Sequence, residues 1–500
     1  MAEEFNFEQS VEFLPDNATA VLHGIPALPG VFALRGASVE GQAEAQPYLT
    51  RAADLRRRIT RLLAPPEFVA KAKAQGQPTS DGGLVLSKRL NLRGRVARIE
   101  YTMTGSEFES VVTLYRAAAA IFGLAEARRR LRLHTPFFLR FTAENSFPRV
   151  YSTNRLSRRS LANYFGPFPS RAAADRYCDA VLDLFKLRRC SEELAPYPEH
   201  PGCVYQEMKK CLAPCNQAYT AAGAAAYAAE AAAVEAFFNT RGESLLGELT
   251  AQREQASTEM EFERAAEIHA QAMRVKAAAA LADPLVQPIP NLRAVIVQKS
   301  VQPTSLVLSR SVAEGSVCPA TLTESEPSAA LFLIEAGWLV GPARLSTLGV
   351  RAVKEQTSVG SSLFAQPLIL QPVPLAEDAG NSTQPETVAA PHIDSPTYSP
   401  EERATEALNE LAGRVGRQPK SAEDLARLSD HLSLLRRWYY RPEKQRTGEV
   451  FLPREDGERS KADGSWPIRR ILRGTARISQ GDPRLIPETQ SEPTARNPEA

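Results

Sequence analysis

The chain has 500 residues, 43% of them hydrophobic, and 60 Lys and Arg against 58 Asp and Glu give a formal net charge of +2. That length predicts about three domains, each with its own core, and so small a net charge singles out no class of partner. No apolar run reaches the roughly 18 residues of a membrane span, and the start MAEEFNFEQS is acidic without a basic–apolar leader pattern, so a cytoplasmic protein without membrane contact is expected.

Residues 1–19 read as a tail. The segment 20–63 reads as a small mixed α/β unit: an apolar start at LPGVFAL, a glycine-containing hairpin turn, then PYL, then the helix AADLRRRITRLL with Leu55, Ile59 and Leu62 on one face. Arg51, Arg56, Arg57 and Arg58 are left to point elsewhere, within a stretch (51–61) of five arginines and one acid, Asp54. A loop or insertion over 64–84 follows. Residues 106–133 read as a helix, apolar through VVTLYRAAAAIFGLA and basic in EARRRLRL, and FFLRF at 137–141 reads as a strand. Between 88 and 140, eleven Lys and Arg stand against four Glu, which suits contact with a phosphate backbone or, as an alternative, a set of solvated helix faces.

Cys190, Cys203, Cys211 and Cys215 lie within 26 residues, behind an approach rich in aromatics and arginine (FPRVYSTN, YFGPFPS, FKLRRC). Four thiols can converge on one tetrahedral site if the backbone folds back between Cys190 and Cys203, a donor set suited to zinc or an iron–sulfur cluster. Twelve, seven and three intervening residues are not a zinc-ribbon spacing, so the metal stays open. Buried, unliganded thiols are the alternative. Cys178 and Cys318 lie outside the group and read as core.

Residues 216–245 are alanine-rich and predict a long helix; 246–280 continue as a helical hairpin with an apolar seam that something must cover. From 292 the pattern changes to short strands, LRAVIVQ, TSLVLSRS and ALFLIEAGWLVG. The Pro/Ser/Thr-rich stretch 372–400 lacks an apolar period and reads as a disordered linker. Residues 401–440 read as helical, with His431 on a polar, exposed face. The segment 436–477 holds twelve Lys and Arg against six acids, and its Trp438, Tyr439, Tyr440 and Trp466 read as core side chains or as a stacking surface for single strands.

In order and spacing, FPRVYSTN, YFGPFPS, FKLRRC, GCVYQEMKKCLAPC and EFERAAEI resemble the N-terminal half of the UvrC excinuclease family and the shorter Cho-type nucleases, over about residues 20–285. The resemblance implies a GIY-YIG nuclease domain, then the cysteine module with an iron–sulfur cluster or zinc on Cys190, Cys203, Cys211 and Cys215. It further implies a UVR hairpin in which Phe262, Glu263, Ala265, Ala266 and Ile268 meet a UvrB-like helicase subunit. His269 and Ala270 stand where the family usually has Arg-Asp. Implied partners are damaged duplex DNA, through Arg51, Arg56, Arg57, Arg128, Arg129, Arg130 and Arg149, and the UvrB-like subunit; no nucleotide cofactor is implied.

A GIY-YIG enzyme hydrolyses a phosphodiester with tyrosine hydroxyls beside the water, an arginine on the phosphate and a glutamate holding Mg²⁺ or Mn²⁺. By resemblance Tyr48 and Arg58 keep their catalytic positions. Gly30-Val31-Phe32 lacks the first tyrosine hydroxyl, and Leu62 replaces a further tyrosine. An ungapped reading back from PFFLRFT puts Leu114 at the metal-binding glutamate and Glu126 at an asparagine. Leucine cannot ligate a hard cation; Glu107 or Glu109 takes the role only if the register slips. The RNase H-like half and helix-hairpin-helix motifs of UvrC have no counterpart after residue 290.

The expected architecture is therefore an α+β multidomain chain. It comprises the tail (1–19), a degenerate GIY-YIG-like domain (20–145), a cysteine-rich module (146–218) and a helical region with the UVR-like hairpin (219–285). A small β-containing unit (290–355), a disordered linker (356–400), a basic helical region (401–480) and a disordered tail (481–500) complete it. The expected function is DNA repair with weak or lost incision, the alternatives being a non-catalytic adaptor and an active endonuclease with a rearranged metal ligand.

Overall fold

The structure, a computed structural model, describes residues 5–37, 45–65, 68–70, 84–86, 90–301, 328–347, 350, 399–416, 418–453 and 466–480. The TSLVLSRS strand, Cys318, most of the 356–400 linker and the 481–500 tail lie outside the described residues. Within them no helix is long and apolar enough to cross a membrane.

The first sheet has the order β1-β6-β2-β3 and is antiparallel throughout, built from β1 (Gln9–Glu12), β2 (Gly30–Arg35), β3 (Tyr48–Ala52) and β6 (Arg98–Met103). A separate hairpin, β4 (Phe68–Ala70) with β5 (Leu84–Leu86), occupies the expected insertion. β1 lies within the stretch read as a tail; it joins the edge through backbone hydrogen bonds, which side-chain patterns do not announce. One face, with Phe32, Leu34, Ile99, Tyr101 and Met103, is covered by α1 (Ala18–Gly24) and α2 (Leu55–Leu63). Asp54 caps α2 by accepting from the Arg57 amide at 2.8 Å, and Leu55, Ile59, Leu62 and Leu63 are its buried stripe.

The opposite face meets α3 (Glu107–Phe122), which starts at the cap Ser106, whose hydroxyl accepts from the Glu109 amide at 3.1 Å. The reading of 106–133 as one helix is corrected at Gly123: its φ of +83° breaks the run, and α4 (Leu124–Leu131) begins anew.

The second sheet, order β10-β9-β7-β8, contains β7 (Phe137–Phe141), β8 (Val150–Thr153), β9 (Tyr164–Phe168) and β10 (Gln287–Pro288). It shares one core with α5 (Arg171–Leu182), α8 (Ala221–Thr240), α9 (Glu243–Thr258) and α10 (Phe262–Ala279). The short α6 (Val204–Glu207) and α7 (Pro214–Gln217) carry the cysteine loop. The long helix expected in the alanine-rich stretch 216–245 is α8; left-handed Arg241 and Gly242 end it, and the hairpin starts at Glu243.

The third sheet joins stretches the sequence keeps apart. β11 (Arg293–Lys299), β12 (Ser328–Glu335) and β13 (Trp338–Ser346) pair in turn, each antiparallel to the next, and β14 (Glu449–Phe451) pairs antiparallel with β11, so 293–299, 328–346 and 449–451 share one sheet of order β13-β12-β11-β14. Ala294 and Ile296 face one core while Val295 and Val297 face another. Helices on both sides account for apolar runs without alternation. α11 (Pro400–Gly413) and α13 (Ile468–Gln480) cover one side, and α12 (Ala422–Tyr439) covers the other.

α12 also seats the first unit. Phe108 of α3 packs edge-on to Phe332 at 5.0 Å and against Trp438 at 5.1 Å. The reading of His431 as an exposed residue is corrected here. It is buried, stacks edge-on with Tyr115 and Trp338, and accepts from the Leu339 amide at 3.1 Å. Burial holds its pKa down at about 3, so the ring is a neutral acceptor. Trp438 is likewise core and donates from Nε1 to the Thr447 carbonyl at 3.1 Å. The hydroxyls of Tyr439 and Tyr440 donate to Asp283 (2.6 Å) and the Pro167 carbonyl (3.0 Å), and Trp466 lies under the Arg293 guanidinium at 4.8 Å.

Candidate functional site

Strand pairing places Phe32, Tyr48 and Thr50 on the α2 face of the first sheet, because cross-strand partners share a face and neighbours alternate. The Phe32 and Tyr48 ring centroids are 6.2 Å apart, and Arg58, one turn into α2, donates from Nη2 to the Tyr48 hydroxyl at 3.4 Å. The structure thus brings together Phe32, Tyr48 and Arg58, a hydroxyl and a guanidinium over an apolar floor. That set can hold a phosphate oxygen but offers no carboxylate for a hard cation.

The two glutamates on the first turn of α3 serve elsewhere. Arg51 points to the face opposite Tyr48, where its Nη1 donates to Glu107 at 3.0 Å; Arg441 donates to the same carboxylate at 2.7 and 3.2 Å. These bonds, Arg441 first, hold the Glu107 pKa below the usual carboxylate range against partial burial. Glu109 is buried, accepts from the Gly105 amide at 2.7 Å and lines a cavity of about 340 Å³ with Thr113, Arg116 and Arg344. Burial pushes its pKa up to about 7. Leu114 is half-buried on α3 and ligates nothing.

The other arginines are dispersed. Arg56 is exposed and donates to the Ile25 carbonyl at 2.6 Å; Arg57 is exposed. Arg128 is committed to the third unit, donating to Asp430 at 2.8 Å and to the Ala426 carbonyl at 2.8 Å. Arg129 and Arg130 both bond Glu126 on their own helix, which holds that carboxyl down at about 2. Arg130 also stacks on Phe122 at 3.7 Å, and Arg149 on Tyr151 at 4.5 Å.

In the cysteine module the chain does fold back. The Leu212 amide donates to the Lys186 carbonyl at 3.0 Å, the Tyr197 amide to the Cys215 carbonyl at 3.1 Å, and Lys210 pairs with Asp183 at 2.9 Å. Left-handed Lys209 and Ala213 make the tight turns around Cys211. The Ala213 amide donates to Cys211 Sγ at 3.3 Å, a bond that favours its thiolate, and Arg188 Nη1 donates to Cys190 Sγ at 3.8 Å. Against the Ala213 bond, burial first and then the three neighbouring thiols push the Cys211 pKa up to about 11, so the other three sulfurs lie within its field. That donor set suits a thiophilic metal in kind. In arrangement it does not yet make a site, since among the described residues no three His, Cys, Asp or Glu side chains converge to hold an ion.

The hairpin α9–α10 turns at Met260, with φ of +60°. Phe262, 68% exposed, stands outward beside Glu263 and Ala266; Ala265 is half-buried. Ile268 is buried in the second core, together with Leu249 and Val275, and so faces its own chain.

Residues 137–237 match the model of the UvrC/Cho excinuclease middle domain, and residues 243–278 match the UvrB/uvrC motif, a span that coincides with α9 and α10. Residues 137–278 are UvrC-like. UvrABC system protein C of Pseudomonas protegens is 30% identical over 187 residues, covering 37% of this chain and 29% of the relative. That of Symbiobacterium thermophilum is 31% identical over 185 residues (37% and 28%), and that of Pseudomonas putida strain KT2440 is 25% identical over 258 residues (51% and 37%). The chain spans about three tenths of the length of the first of these relatives. No solved structure matches.

The UvrC-like segment is thus the cysteine module, its sheet and the hairpin, folded around one core. Asp430, Tyr115 and Arg441 are the residues that sequence reasoning missed. Asp430 accepts from Tyr115 at 3.2 Å as well as from Arg128, across more than 300 positions of chain. No local pattern could reveal such a pairing; Arg441 was visible only as one charge in a basic stretch.

Proposed function

We propose that this protein is a DNA-repair factor of the nucleotide excision type that binds damaged duplex and a UvrB-type partner and cuts weakly or not at all. The observation that carries the reading is the UvrC-like middle-domain match at 137–237 followed by the UvrB/uvrC motif at 243–278, with the hairpin's Phe262 presented to solvent. In this reading the first unit contacts phosphate without hydrolysing it. Arg58 and Tyr48 retain a charge and a hydroxyl for the backbone, while Phe32 can pack but cannot carry a proton. Glu107 stands on the other side of β3, already bonded to two arginines.

The test is incubation of the full chain with a UvrB-bound damaged duplex and Mg²⁺ or Mn²⁺. A stable ternary complex without incision is expected, and incision that disappears in Arg58→Ala would overturn the reading. Cys190, Cys203, Cys211 and Cys215 are proposed to hold zinc or an iron–sulfur cluster, which would supply a cross-link between the loop segments. Elemental analysis of the purified protein should find zinc or iron, and the absence of both would sink that assignment.

A further inference from the structure

Four guanidinium groups gather where β3 of the first unit meets α12 and the turn after it. Burial first, and then the nearby charges of Arg436, Arg441 and Arg51, disfavour the charge on Arg437, so the other three lie within its interaction range. Glu107 is the carboxylate bonded among them, accepting from Arg51 on one side and twice from Arg441 on the other. Arg436 and Arg437 are spent on backbone carbonyls: Arg436 on Pro169 at 2.8 Å, and Arg437 on Leu131 and Arg132 at 3.0 and 2.7 Å. They bolt α12 to α4 and β9. Arg51 and Arg441 are the two held by a side-chain carboxylate, that of Glu107.

Folding stability alone does not account for this gathering. Like charges at close range oppose docking, and an ion pair as exposed as Arg51–Glu107, at 42% and 44%, adds little to stability. Beside the charges lies a recess floored by Phe108, Leu434 and Trp438 and rimmed by Glu107, Arg437 and Arg441, a poorly solvated wall that strengthens any ion held against it. Glu107 also sits on the first turn of α3, where the helix amides favour negative charge. One carboxylate already bridges both guanidinia there, and the two non-bridging oxygens of a phosphodiester can likewise accept from arginine in a bidentate pair.

We infer that Arg51 and Arg441 form a clamp for one phosphodiester of a nucleic-acid backbone, and that Glu107 is the built-in anion which keeps both arginines in place until the phosphate displaces it. The clamp rests on the DNA-binding reading above and extends it, because Arg441 belongs to the C-terminal unit, outside the UvrC-like segment. The backbone would therefore cross the boundary between two units, on the face of β3 opposite Tyr48 and Arg58.

The test is fluorescence anisotropy of a labelled duplex with the full chain over a salt series, comparing wild type with Glu107→Gln and Arg441→Gln. Removing the competing carboxylate should tighten binding several-fold at constant salt. Removing Arg441 should weaken binding and lower the log–log salt slope by about 0.9, the signature of one lost phosphate contact. If wild type binds and Glu107→Gln binds no better or more weakly, the triad is only a docking ion pair and the clamp is overturned, with DNA binding itself intact. If wild type binds no duplex at all, the clamp falls together with the reading it rests on. Melting temperatures of both variants show whether a change in binding is a change in folding.

Discussion

Replacing Glu109 with glutamine should make the protein more stable at pH 8 and leave it nearly unchanged at pH 4.5. Glu109 is 4% exposed, and its folded pKa of about 7 stands roughly 2.5 units above the ordinary 4.5 because burial penalises the ionised form. Between those two values the folded state holds a proton that the unfolded state has released, so stability falls as pH rises through the window. Each unit is worth about 1.4 kcal/mol, and the full span amounts to about 3 kcal/mol by pH 8. Glutamine keeps the acceptor for the Gly105 amide and cannot ionise. The assay is urea unfolding of both proteins at pH 4.5, 6, 7 and 8, followed by tryptophan fluorescence. Two stability curves that stay parallel across the series would refute the reasoning and would mean that water in the adjoining cavity, or Arg344, stabilises the carboxylate.

Other substitutions probe the seams between units. Asp430→Ala strands the Tyr115 hydroxyl in the interior and frees Arg128, which is 35% exposed and can turn to water, so a loss of about 2 kcal/mol is expected in thermal or urea unfolding. Adding Tyr115→Phe should return part of that loss, and strict additivity would deny the coupling. Phe262→Ala should leave the melting temperature within experimental error yet weaken binding to a UvrB-type partner at least tenfold in a titration. Equal affinity would remove Phe262 from that interface. Tyr48→Phe should lower duplex affinity less than Arg58→Ala, since a neutral hydroxyl contributes less at a phosphate than a guanidinium. The reverse order would indicate that Tyr48 bears the anion.

Helix α2, strand β7 and the UVR hairpin could be read from the chain alone. Their apolar spacing is local, and a period of two or 3.6 fixes which side chains share a face whatever lies opposite. The cysteine cluster and the order of the UvrC-like motifs were legible for the same reason. Breaks such as Gly123 and Gly242 carried a signal in their residue type, though not one that apolar periodicity registers.

What only the tertiary structure decided is the set of partners brought together by distant strand pairing. β14 joins β11 across more than 150 positions of chain, and this seats α12 against α3. That docking buries His431 and Trp438, gives Arg128 to Asp430, and turns Arg51, Glu107 and Arg441 into one site. Charge and hydrogen-bonding capacity are properties of a residue type and can be counted in a sequence. Whether that capacity is spent on solvent, on the protein's own backbone or on a ligand depends on what the fold places within about 3 Å.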